Sequence, residues 1–193
     1  MTEMSLKFTP ADLPGVTIIE PEIFADERGY LMETYKRSEF VAAGLTAEFV
    51  QENHSRSVQG TLRGLHLQCE PKAQAKLVRV IEGAVFDVVA DVRRDSPTFG
   101  QWAGFVLSAE NRRLLFVPAG YAHGFCVTSA EAQVVYKMTA EYAPELEQGV
   151  RWDDPVLAIK WPVSSPRLSP RDSRWPALSE HVGDERLRPA ALR

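Results

Sequence analysis

The 193-residue chain has two cysteines, Cys69 and Cys126, and four histidines. Two cysteines cannot staple a disulfide-built scaffold. They read either as one Cys69–Cys126 bridge or as two free buried thiols, and the second suits a reducing compartment. No apolar run approaches the ~20 residues of a membrane helix, and the N-terminal stretch lacks the apolar core of a signal peptide, so the expected location is cytoplasmic. An excess of positive charge is missing as well. The 22 Lys and Arg against 26 Asp and Glu leave a formal charge of −4 with no basic stripe, which argues against nucleic acid as a partner. Hydrophobic content of 45% and charged content of 25% are ordinary for a globular chain, and the length suits a single domain. We place that domain at 1–182 and read the charged, proline-bearing 183–193 as a disordered tail.

Helical periodicity is scarce. Ser38 reads as the N-cap of one short helix, Glu39 to Ala43, stopped by Gly44. Helical turns are expected at 145–149 and 173–182. The rest is strand after strand: 47–54, 61–68, 75–82, 84–93, 101–107, 112–117, 123–128 and 132–139, with a last one at 157–162. Asp26-Glu27-Arg28-Gly29 reads as a turn, and Asp95-Ser96-Pro97 as another. Many short strands between turn residues predict a mainly β fold, a sandwich or barrel closed as a jelly roll.

Chemistry concentrates in two segments. In Leu65-His66-Leu67-Gln68, apolar and polar residues alternate as on a half-buried strand. Arg63 then shares no face with His66 unless Gly64 supplies a bulge. Lys76 opens the next apolar run and is placed to return to the same pocket. Gathering a guanidinium, an imidazole and an ammonium inside a sheet protein is expensive without a purpose, although three exposed polar side chains would fit this segment as well. The second segment is Pro118-Ala119-Gly120-Tyr121-Ala122-His123.

Together these segments resemble the cupin double motif. Gly60 stands six positions before His66, Lys76 seven before Gly83, and Pro118, Gly120 and His123 fit the second half in full. Two positions depart from it: Gln68 replaces the second histidine and Lys76 the glutamate. A divalent ion prefers imidazoles and carboxylates and is repelled by an ammonium. The pocket thus reads as one whose metal has been replaced by a side-chain cation.

The chain further resembles the dTDP-4-dehydrorhamnose 3,5-epimerase family. The resemblance runs in order through 26–29, 51–55, 62–66, 74–78, 83–88, 96–100, 107–111, 122–125, 136–137 and 168–172, roughly residues 15–180. It implies a cofactor-independent enzyme, without metal, acting on dTDP-4-keto-6-deoxy-D-glucose in dTDP-L-rhamnose biosynthesis. It also implies a homodimer whose N-terminal strands cross to the partner. Both reacting carbons flank the C4 ketone, so the chemistry requires a base, an enolate stabiliser and an opposing acid. By resemblance His66 is the base, Asp172 its orienting carboxylate, Lys76 the enolate stabiliser and Tyr136 the proton donor. Substrate binding falls to Arg28, Glu33, Gln51, Asn53, Arg63, His123, Tyr142, Glu147 and Arg171. On its own, Asp172 reads as a turn aspartate, Tyr136 as a packed core ring and His123 as a satisfied core histidine. Glu52 and Arg171 depart from the family's usual Asp and Lys but keep the charge. Rival readings are a C3-only epimerase, a non-catalytic cupin that binds a nucleotide sugar, and a metal-dependent cupin dioxygenase, the last opposed by Lys76 and Gln68.

Overall fold

A computed structural model describes residues 5–181. Two antiparallel sheets face each other. One has six strands: β1 (Leu6–Pro10), β2 (Thr17–Pro21), β5 (Gln51–Val58), β7 (Lys76–Glu82), β10 (Leu114–Val117) and β12 (Glu131–Met138), in the order β1-β2-β10-β7-β12-β5. The other has five: β6 (Leu62–Gln68), β8 (Ala84–Asp91), β9 (Trp102–Ser108), β11 (Tyr121–Val127) and β13 (Glu147–Gly149), in the order β13-β6-β11-β8-β9. A separate hairpin joins β3 (Ile23–Asp26) to β4 (Gly29–Met32). Neighbours in space are mostly not neighbours in sequence, and the chain passes repeatedly from one sheet to the other. This is the expected jelly-roll sandwich. Among the described residues no helix is long and apolar enough to cross a membrane.

Alternation sets the layers. On β7, Val78 and Val80 point between the sheets, where they meet Val85, Val89, Leu107, Phe125 and Val134, while Leu77 points outward. The outer face of the six-stranded sheet is covered by a second cluster in which Leu77, Leu114 and Phe116 pack on Phe40 of α1 (Arg37–Ala42). A third cluster covers the five-stranded sheet, where Leu65, Leu67, Val88 and Ala90 meet Val150, Leu157 and Leu178 of the C-terminal segment. Each well-buried aliphatic side chain contributes about 1.5–3 kcal/mol. The C-terminal segment is therefore packed down although it forms no strand beyond β13. Both cysteines are buried and neither is in a disulfide, and burial raises the Cys126 thiol's pKa.

Several sequence expectations shift. The strand expected at 47–54 begins at Gln51, because Leu45, Ala47 and Phe49 are spent on the outer cluster before β5 enters the sheet. The helix starts at Arg37 with Lys36 as N-cap and no side-chain cap, so Ser38 lies inside it. Residues 157–162 form no strand: the Ala158 N–H donates to the carbonyl of Asp154, and φ at Ala158 is +46°. The 145–149 helical turn divides into a 3-10 turn, Pro144–Leu146, followed by β13. The expected tail lies outside the described residues.

One irregularity positions the site. Between β6 and β11 the register pairs His123 with His66 but Phe125 with Arg63, so three steps on β6 match two on β11. This is a bulge, and Gly64 carries it with φ of +132°. A Cβ there would lie 2.5 Å from the Cα of Gly124, so the two strands touch backbone to backbone. The extra residue turns Arg63 to the same side as His66, as the composition of this stretch suggested.

Candidate active site

At one end of the sandwich the inward positions change from apolar to polar. There the sheets part around a cavity of about 510 Å³. Strand β5 contributes Gln51 and Asn53, β6 contributes Arg63, His66 and Gln68, and β7 contributes Lys76. His123 comes from β11 and Tyr136 from β12, while Tyr142, Glu147, Arg171 and Asp172 close the cavity from the segments beyond. Leaving a buried polar group unsatisfied costs about 1–3 kcal/mol. Such a set of inward polar groups works against stability, which points to chemistry.

The His66 imidazole donates through Nε2 to Asp172 Oδ1 at 2.5 Å. Asp172 sits on a 3-10 turn, Asp172–Arg174, and its side chain is only 4% exposed. Its backbone N–H donates to Ser169 Oγ at 3.1 Å. Burial alone would raise this carboxyl's pKa. The hydrogen bond and charge of His66, with Ser169 and Arg171, outweigh it and hold the group below the usual carboxylate range. With Nε2–H committed to Asp172, the lone pair of Nδ1 is left as the ring's basic site.

Lys76 reaches into the same cavity. Its Nζ lies 3.5 Å from the backbone oxygen of His66. Burial pushes the ammonium down from 10.5 to about 8, with Asp87 and Glu147 pulling in the opposite direction. A charged amine thus shares one cavity with the His66 imidazole.

The other lining groups hold one another. His123 Nε2 lies 2.9 and 3.0 Å from the two oxygens of Asp87, which is fully buried on β8. The Asn53 amide donates to the Tyr136 hydroxyl at 3.3 Å and accepts from Gln51 at 3.1 Å. Gln51 Oε1 accepts from the Tyr142 backbone N–H, and the Tyr142 hydroxyl donates to Glu147 at 2.9 Å. Arg171 closes the chain on Glu147 at 2.5 Å. The Tyr142 hydroxyl is pushed up by burial and then by the Glu147 carboxylate. Arg63 Nε donates to Ser57 on β5. Gln68 is committed to the backbone: its amide donates to the carbonyls of Lys72 and Glu141 and accepts from the Ala143 N–H at 2.8 Å. The position of the second cupin histidine therefore ties a strand end to a loop.

Eleven of the thirteen residues singled out from the sequence line this cavity. Arg28 and Glu33 do not, and lie away from it within one chain. Arg28 pairs with Asp26 on the β3–β4 hairpin at 2.5 Å, with its side chain 84% exposed. Glu33 Oε1 is buried with no hydrogen-bond partner among the described residues. Asp87 escaped sequence reasoning although a sign of it was present: it is the one acid inside the apolar run Val85-Phe86-Asp87-Val88-Val89, at an inward register.

Fold and site together define a class, a jelly-roll protein whose polar cavity holds a histidine–carboxylate pair and a buried lysine ammonium. Comparison with known proteins sharpens this. Residues 10–180 match the family model described as dTDP-4-dehydrorhamnose 3,5-epimerase. A Shigella flexneri protein of that name is 53% identical over 162 residues, covering 83% of this chain and 90% of its own. The crystal structure of the dTDP-6-deoxy-D-glucose-3,5-epimerase of Legionella pneumophila Philadelphia 1, in complex with dTDP-4-keto-L-rhamnose, superposes with a TM-score of 0.92 at 43% identity, covering 97% of this chain and all of that one. A Streptomyces niveus dTDP-4-dehydrorhamnose 3-epimerase is 43% identical over 176 residues, covering 91% of this chain and 85% of its own. The chain belongs to the dTDP-4-dehydrorhamnose 3,5-epimerase family.

Proposed function

We propose that this chain inverts both C3 and C5 of dTDP-4-keto-6-deoxy-D-glucose, giving dTDP-4-keto-L-rhamnose, by proton transfer alone. His66 Nδ1 removes the proton beside the C4 ketone, and the electron pair moves onto the C4 oxygen. The Lys76 ammonium stabilises that enolate. Tyr136, on the facing sheet, delivers a proton to the opposite face of the carbon. His66 then returns its proton to solvent and the Tyr136 phenolate regains one, which resets the site for the second carbon. Arg63 and Arg171 suit the diphosphate, while His123, Gln51, Asn53, Tyr142 and Glu147 hold sugar and base. The observation that carries this reading is the placement of Lys76 Nζ within 3.5 Å of the His66 backbone oxygen, in the cavity that holds the His66–Asp172 pair.

Turnover in heavy water followed by NMR tests it. Deuterium is expected at both C3 and C5. Label at C3 alone would make the chain a 3-epimerase like its Streptomyces niveus relative, and label at neither carbon would contradict the proposal. In Tyr136→Phe, proton removal survives without the opposing donor. Exchange without inversion is expected there, with dTDP affinity unchanged.

The reading extends to a cytoplasmic homodimer, in keeping with two buried cysteines that form no disulfide. The β3–β4 hairpin exposes Tyr30 and Leu31 at 55% and 62% and carries Arg28, while Glu33 just beyond it has a buried oxygen with no partner among the described residues. A hairpin crossing to the partner would cover those two side chains and bring both polar residues to the neighbouring cavity. Light scattering is expected to give twice the chain mass, and Arg28→Ala to raise KM with kcat little changed. A monomer with full activity would contradict it.

A further inference from the structure

The turn that carries Asp172 ends at Trp175, whose backbone is already extended at φ −61° and ψ 139°. Its indole stands edge-on to the His66 imidazole, with ring centroids 6.0 Å apart and planes at 67°. Trp175 does not line the cavity, so it sits beside and behind the imidazole. The space it occupies is provided by Gly149, which pairs directly with His66 across β13 and β6 and so faces the same way. A Cβ at 149 would come within 2.4 Å of the indole. Gly149 is not among the glycines of positive φ, so what this position requires is room, not an unusual backbone. The segment is fixed to the strand nearby: the Arg151 N–H donates to the Pro176 carbonyl at 3.0 Å, and His181 Nε2 donates to the Gly149 carbonyl at 2.9 Å. The indole Nε1 is buried with no hydrogen-bond partner among the described residues. What the ring offers is a flat wall, not a polar contact.

A single hydrogen bond to Asp172 fixes one nitrogen of His66 but leaves the imidazole free to swing about that bond. We infer that Trp175, seated on Gly149, is a positioning residue that stops this swing and keeps Nδ1 aimed at the substrate carbon. The inference rests on the reading of His66 as the base. A base displaced by about 1 Å loses on the order of a hundredfold in rate, whereas nucleotide binding by other residues is untouched.

Steady-state kinetics, dTDP binding and low-temperature proton NMR on the full chain test it together. Trp175→Leu is expected to lower kcat by about 10–100-fold while KM and the dTDP Kd stay within about threefold. The low-field resonance of the proton between His66 and Asp172 should broaden or vanish in that variant. Trp175→Phe restores a flat ring and is expected to recover kcat to within about threefold, together with the resonance. Trp175→Met has about leucine's volume and likewise no rigid face, so it should lose kcat as leucine does, which provides a measurement if the leucine variant does not fold. Wild-type kcat in the leucine or methionine variant would overturn the inference. So would a loss confined to KM, or a phenylalanine variant as impaired as leucine. A wild-type chain that exchanges no substrate hydrogen would overturn the parent reading and this inference with it. Normal wild-type exchange with unaffected variants would sink this one alone.

Discussion

His66→Ala is expected to lower kcat by about 10³–10⁴-fold, the upper part of the range for a general base, with dTDP affinity nearly unchanged. The large figure follows from how fully the residue is set up. Its Nε2 is fixed by a 2.5 Å hydrogen bond to Asp172, and that carboxyl's pKa lies below the usual range, so it is ionised when the imidazole takes a proton. The carboxylate thus selects the tautomer and stabilises the imidazolium. Asp172→Asn is expected to approach the same loss, because an amide can donate to Nε2 and so favour the wrong tautomer. The nucleotide contacts assigned to Arg63, Arg171 and Glu147 do not pass through His66, which is why affinity should survive. A His66→Ala chain with near-normal turnover would remove the base from this account.

Lys76→Met is expected to lower kcat by about 10²–10³-fold, the worth of one preorganised donor at a developing oxyanion, roughly 3 kcal/mol. The ammonium is costly to keep. A pKa lowered from 10.5 to about 8 corresponds to about 3 kcal/mol of lost preference for the charged form. That cost is similar in size to what the charge returns once an enolate forms beside it, so the residue makes sense only in a site where negative charge develops. The sign of the pH dependence follows. Below about pH 8 the amine is charged and active, and as pH rises through that value the cation is lost and the rate should fall. Methionine has nothing to titrate there, so its residual rate should lack this limb.

The sandwich was legible because strands declare themselves through alternation. Val78 and Val80 inward with Leu77 outward is a pattern that any sheet reading finds. The Lys76 and His66 positions were legible for a related reason: polar residues at inward registers of apolar strands ask for an explanation. The bulge at Gly64 was visible only as a need, since Arg63 and His66 are an odd number of residues apart. Residues 157–162 misled because an apolar run that packs as an irregular cover looks the same in sequence as a strand. Asp172 illustrates the limit of local reading. It is 106 residues from His66, and nothing in its own turn announces the hydrogen bond that the packed C-terminal segment makes. Arg28 and Glu33 illustrate another limit, since one chain's fold leaves them away from its own cavity.

The most direct test is the rate of deuterium entry at C3, measured from pH 6 to pH 10 in the wild-type chain and in Lys76→Met. The account predicts a wild-type rate that falls through about pH 8 and a slower rate in the variant that lacks this fall. The same alkaline fall in both proteins, or equal rates at pH 7, would mean that the amine of Lys76 carries none of the enolate's charge.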